Sequence, residues 1–371
     1  MLSYIFTFFA SILCLEFLSR LVVKNIHKVS RLNLGVEVSE FIASKSIHYK
    51  KKNVIDVNKL FEPRPYGLYW NTANFYENKQ KQTDSNGFRY KGYNISKEKS
   101  LFRVLVYGGS TTFSNHFISD PSKCWPYQAE KLINRELSHE TEFINAGLNW
   151  ATSAELLTHF IFEGKNFQPD LLIIEGPGND ALPISLGDFT PDYRNTRHSI
   201  SWQVRKYESF WLNHFMTIKL FYIFWLRNQN ILNLRPDKKL ARQDRNQLLL
   251  NTFPYSYERN IETFIQLAQA LDITAILIDF TVNFNAIDDD KPGLSEGLSS
   301  QYSAMNGVLE NLARKNPKTV KHLSIPTNLF TNSDFADAVH LNQVGEDKKA
   351  EYISKFLVPS IQFILDKKSN E

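Results

Sequence analysis

A chain of 371 residues, 43% hydrophobic and 22% charged, holds the material for one large decorated globular domain or for two domains. Its formal net charge of +4 is small for the length, and its lysines and arginines interleave with acids, which argues against a nucleic-acid-binding stripe. Nine histidines without an H-x-x-x-H spacing and two cysteines, Cys14 and Cys124, without a C-x-x-C argue against a structural metal site, and no cofactor is expected.

Residues 2–15 are almost wholly apolar, and Phe17, Leu18, Leu21, Val22 and Val23 extend the pattern past Glu16 and Arg20. The unbroken run is shorter than the ~20 residues of a spanning helix. With Glu16 tolerated near an interface, residues 1–24 are nevertheless expected to form an uncleaved single-pass membrane anchor. A cleaved signal peptide fits less well, because a basic start and a small-residue cleavage site are missing; a buried core helix is the other alternative. Arg20, Lys24, Lys28 and Arg31 would hold the following chain in the cytoplasm. Cys14 lies inside this run, which argues against an intramolecular disulfide.

Residues 25–100 read as an N-terminal extension of short strands and loops. They include an aromatic patch (Tyr69, Trp70, Phe75, Tyr76) and the strong turn signal Asn86-Gly87. From residue 101 strands and helices alternate. Strands are predicted at 102–107, 142–146, 171–175, 273–280 and 319–324, and helices at 126–137, 153–163, 257–271, 302–315 and 345–365. That alternation predicts an α/β fold: a three-layer α/β/α sandwich around a mostly parallel five-stranded sheet, spanning residues 101–365. Residues 181–250 interrupt it as an insertion whose centre, 210–226, is apolar nearly all round. The expected role is a helical lid, ahead of a membrane-surface helix; a second span is disfavoured by the short length and by flanking charges at Arg205, Lys206 and Arg227.

Four strand ends carry the chemistry. Val104, Leu105 and Val106 form a buried parallel strand that stops at Gly108-Gly109 and is followed at once by Ser110. A serine at the carboxyl end of such a strand sits where open α/β sheets bind ligands, although Ser110 as a plain helix cap explains it equally well. The other three are Asn145-Ala146-Gly147, Gly178-Asn179-Asp180 and Asp337-x-x-His340, each ordinary turn chemistry when taken singly.

In this order and placement the four resemble the blocks of the SGNH hydrolase superfamily, also called the GDSL esterases and lipases, with Gly109 where the family has an aspartate. The Gly-Gly-Ser-Thr form, Asn86-Gly87-Phe88-Arg89 and the leading apolar segment look like a membrane-anchored bacterial branch. The resemblance covers residues 86–360 and implies the flavodoxin-like hydrolase fold. It also implies a Ser110 nucleophile, a His340 base and an Asp337 orienter. Ser110 is a poor nucleophile until a base takes its proton, and Asp337, three residues before His340, can fix the imidazole tautomer. The oxyanion donors would be the Ser110 N–H, the Gly147 N–H and the Asn179 amide. Gly147 would be glycine to let its backbone approach substrate, Asn145 and Asp180 would brace the turns, and Thr111 would start the following helix.

The expected function is a membrane-tethered serine esterase that removes an acyl group, foremost O-acetyl, from a carbohydrate. Its domain is expected outside the cytoplasm, where glycan acyl groups are mostly edited. Alternatives are a glycan O-acyltransferase, a lipase or lysophospholipase, and last a non-enzymatic glycan-binding subunit. The expected partners are an ester substrate and the membrane, with no nucleic acid.

Overall fold

The computed structural model describes residues 2–25, 60–62, 64, 69–77, 79–186, 189–193, 195, 215–218, 220–221, 240–291 and 293–369. The chain divides into two compact units, Met1–Tyr69 with Arg194–Leu240 and Trp70–Tyr193 with Ala241–Glu371.

In the first unit, helix α1 (Leu2–Asn25) carries the apolar N-terminal segment. Among the described residues no helix is long and apolar enough to cross a membrane. The single-pass anchor expected over residues 1–24 is therefore not supported, and the placement of the catalytic domain outside the cytoplasm falls with it. Glu16 pairs with Arg20 at 2.8 Å and accepts hydrogen bonds from the N–H groups of Met216 and Thr217 at 2.9 and 3.0 Å. Burial acts to raise its carboxyl, but these donors outweigh it and the group stays below its ordinary range. The charge expected at a membrane interface is thus held by protein groups. The lid expected at residues 210–226 lies outside the described residues except for 215–218 and 220–221.

The second unit is built on five strands: β1 (Phe102–Gly108), β2 (Thr141–Gly147), β3 (Leu171–Glu175), β4 (Thr274–Ile278) and β5 (Val320–Leu323). They form one all-parallel sheet in the order β2-β1-β3-β4-β5. Their runs of apolar residues show no alternation because both faces are covered. Between and after the strands come α2 (Ser110–Phe113), α3 (Trp125–Glu136), α4 (Ser153–Phe162), α5 (Arg242–Asn251), α6 (Tyr255–Ala270), α7 (Ser295–Lys315) and α8 (Gln343–Ser369).

Alternate residues of each strand serve opposite layers. Val104, Val106, Phe143, Ile173 and Ile276 pack with Trp125, Ala129 and Ile133 of α3 and with Ile353, Leu357 and Ile361 of α8. Tyr107 faces the other layer, 6.0 Å from Phe160 of α4 and 5.4 Å from Phe264 of α6. The α/β/α sandwich expected from the sequence is therefore present, with every strand of the sheet parallel. The strand order reverses at β1, so the carboxyl ends of β1 and β3 open a crevice at the topological switch point.

Part of the N-terminal extension packs on this sheet. Asp84 accepts from the N–H groups of Asn86 and Phe88, closing a turn in which Gly87 has φ +81°, a conformation costly for a residue with a Cβ. Trp70 is buried and stacks on His159 at 3.5 Å, so this ring is core.

Candidate active site

The crevice at the switch point is assembled from three loop ends. After β1, Gly108 and Gly109 turn the chain into α2, which opens at Ser110 itself and not at Thr111. A Cβ on Gly108 would collide with Thr112 Oγ1, so a side chain there is excluded. A Cβ on Gly109 would meet only Asn179 Nδ2, at an ordinary 3.6 Å. A side chain at position 109 would therefore meet no steric clash at its Cβ.

The expected base, His340, arrives from the segment between β5 and α8. Phe335 and Leu341 pair antiparallel, Ala336 donates to the His340 carbonyl at 2.8 Å, and Asn342 caps α8 by accepting from Val344 and Gly345. Inside this closed turn Asp337 Oδ1 accepts from the N–H groups of Val339 and His340. Asp337 Oδ2 lies 2.7 Å from His340 Nδ1, and His340 Nε2 lies 2.8 Å from Ser110 Oγ. Residues 230 positions apart thus form an unbroken Ser-His-Asp chain. Burial pulls the Asp337 carboxyl upward, but the imidazole hydrogen bond, the His340 charge and the two amides outweigh it and hold it at about 2. Asp337 is ionised at neutral pH and selects the tautomer with the proton on Nδ1, leaving Nε2 free to accept from Ser110.

Of the three expected oxyanion donors, two are placed at or next to the turn that carries Ser110. The Ser110 N–H opens α2 and has no acceptor within the helix. The Asn179 amide lies against the Gly109 position and spends one N–H on the Ala151 carbonyl at 3.1 Å, which leaves a second. Gly147 is placed differently. Its N–H donates to Asn145 Oδ1 at 2.9 Å, and a Cβ there would collide with the backbone of Phe113. Gly147 is glycine so that β2 can pass under α2, not for approach to a substrate.

Asn145 and Asp180 brace these turns, as expected. Asn145 Nδ2 donates to the Thr112 carbonyl at 2.8 Å. Asp180 accepts from Ser153 N and Oγ and from Tyr193 Oη, and burial raises its carboxyl to about 7 against those donors.

Two neighbours of His340 carry no sequence signal. His116 stacks on His340 with ring centroids 5.0 Å apart, and Phe117, half exposed, lies 5.7 Å away. Desolvation and then the His340 charge lower the His116 imidazole to about 4. Arg89, fully buried, is a further supporting residue. It donates to the Ile118 carbonyl at 2.9 Å and to Gln82 Oε1, and its guanidinium covers the Phe113 ring at 4.9 Å. Among the described residues there is no cluster of side chains able to hold a metal ion.

No protein-family model and no curated protein matches the chain. Similar solved structures include TesA, with 17% identity over 69% of this chain and 98% of that one at a TM-score of 0.39. A lipase/acylhydrolase from Enterococcus faecalis shows 14% identity over 70% and 96%, with a TM-score of 0.41. A mutant of Axe2, an acetyl-xylooligosaccharide esterase from Geobacillus Stearmophilus, shows 11% over 68% and 93%, with a TM-score of 0.41.

Proposed function

We propose that the chain is a serine esterase whose nucleophile is Ser110. The observation that carries this reading is the chain of contacts from Ser110 Oγ to His340 Nε2 at 2.8 Å and from His340 Nδ1 to Asp337 at 2.7 Å. The nucleophile is in hydrogen-bond reach of its base, and the base is oriented by an ionised carboxylate. As Ser110 Oγ attacks the ester carbonyl, its proton passes to His340 Nε2. The carbonyl oxygen becomes an oxyanion that the Ser110 N–H and the free Asn179 N–H face. Collapse breaks the ester C–O bond, and His340 returns the proton to the leaving alcohol. Water then attacks the acyl-enzyme by the same proton route, releasing the acid and Ser110.

The substrate class proposed from the family resemblance is an O-acetylated carbohydrate. Exposed aromatic rings can stack on sugars, but Tyr69 and Trp70 of the N-terminal aromatic patch are buried and offer no such face. The lid, whose presence would favour transfer to an acceptor over hydrolysis, falls mostly on residues outside those described. The test is turnover of p-nitrophenyl acetate and of acetylated sugars by the wild type beside Ser110→Ala. The expected result is hydrolysis by the wild type alone; equal turnover by Ser110→Ala would remove the nucleophile assignment.

A further inference from the structure

Beneath α2 lies an ion pair that the acyl-transfer steps do not use. Glu175, the last residue of β3, and Lys349, in the second turn of α8, are both 0% exposed at the side chain, with Lys349 Nζ 2.5 Å from Glu175 Oε1. Two fully desolvated charges cost more than their mutual attraction returns unless their remaining hydrogen-bonding capacity is also filled. Here part of it is met from specific places. Thr112 Oγ1 donates to Glu175 Oε2, and the Lys349 ammonium lies 5.3 Å over the Trp125 ring. One turn earlier on α8, Glu346 accepts from Ser114 Oγ at 3.0 Å and from the Trp125 N–H at 2.5 Å.

These contacts connect the three segments that bear the catalytic groups. Thr112 lies within the short helix that Ser110 opens, and Ser114 caps its carboxyl end. Lys349 and Glu346 belong to the helix that begins three residues after His340. Glu175 ends the strand whose following turn presents Asn179. A four-residue helix makes too few internal hydrogen bonds to hold its own position. An apolar contact would hold it less specifically, because dispersion is non-directional whereas an ion pair with a bridging hydroxyl fixes distance and angle.

We propose that Glu175, Lys349 and Thr112 are positioning residues, a buried strap that holds α2 against α8 and β3 so that Ser110 Oγ stays on His340 Nε2 and beside Asn179. The proposal rests on the esterase reading of the same site. It assigns a purpose to a charge pair that well-packed apolar residues could replace at little cost to stability.

The test uses the full chain with Thr112→Val, which keeps the ion pair paired, and with the double variant Glu175→Gln/Lys349→Met, which removes both charges of the pair while Glu346 keeps its hydrogen bonds from Ser114 and Trp125. Cooperative thermal unfolding is checked first. The expected result is a kcat at least tenfold lower in the double variant and about threefold to tenfold lower in Thr112→Val, with KM within twofold of wild type. Phosphonylation of Ser110 should slow by the same factors. Either variant folding cooperatively with wild-type kcat, or a loss carried by KM alone, overturns the proposal. A readout without turnover separates it from the esterase reading. The His340 ring resonances in both variants should move toward those of Ser110→Ala, where Nε2 has lost its partner. Resonances unchanged from wild type overturn the strap whether or not any ester is hydrolysed. A wild type that hydrolyses no ester and takes up no phosphonate removes the esterase reading alone.

Discussion

At the scale of single residues, Asn179 is the donor whose loss is easiest to read. Its side-chain amide lies 3.6 Å from a Cβ position on Gly109, next to Ser110, and a replacement leaves the Ser110–His340–Asp337 chain in place. Asn179→Ala should lower kcat about 10²–10³-fold with little change in KM, because the hydrogen bond strengthens only as the oxyanion forms. Steady-state kinetics on a short-chain ester check this. Asp337 gives a stability prediction. Its folded value, about 2, lies below the ordinary 3.8, so its contribution is present above pH 3.8 and is lost as pH falls through 2. A shift of that size corresponds to about 2 kcal/mol. In Asp337→Asn the fall in unfolding free energy between pH 4 and pH 2 should be smaller by about that amount. His116 supplies a third expectation. Lowered to about 4, it is neutral through the working range, so the acid limb of kcat/KM above pH 5 should have a slope of one. His116→Phe should leave that slope unchanged, whereas a slope of two in the wild type would contradict the assignment.

At the scale of elements, the turn glycines separate two constraints that look alike in the sequence. Gly108→Ala should destabilise the fold by about 1–3 kcal/mol, because the added methyl meets Thr112 on a helix that cannot retreat. Gly109→Ala should unfold within about 0.5 kcal/mol of wild type, since only the Asn179 amide is near and at van der Waals distance. Chemical denaturation of both variants checks the pair. These cases also show where the sequence was readable. Each predicted strand of the sheet lies within two residues of its observed bounds, and β1, β2 and β3 have a local cause for stopping in the glycines that end or follow them. Asp337 and His340 were legible as a pair because three residues of spacing suit one turn. The actual role of Gly147 was not legible: its N–H is taken by Asn145, and the helix it packs under is set by tertiary contact. The strap was equally hidden, since Thr112, Glu175 and Lys349 are far apart in the chain and ordinary in composition.

At the scale of the whole molecule, the site follows from topology. Strand order 2-1-3-4-5 opens its crevice between β1 and β3, which is where Ser110 and Asn179 emerge, and the turn before α8 brings His340 across. Glu16 shows the opposite situation. Its neighbours suggest an apolar segment entering a bilayer, whereas its partners, Met216 and Thr217, lie 200 and 201 residues away. A local hydropathy pattern carries no record of such pairing. Active-site phosphonylation read by mass spectrometry tests whether Ser110 is a nucleophile activated by His340 and Asp337. A fluorophosphonate should add once to the wild type, on the peptide containing Ser110, and should add to neither Ser110→Ala nor, at a comparable rate, His340→Ala. Labelling at another residue, or labelling of His340→Ala at the wild-type rate, would contradict the claim.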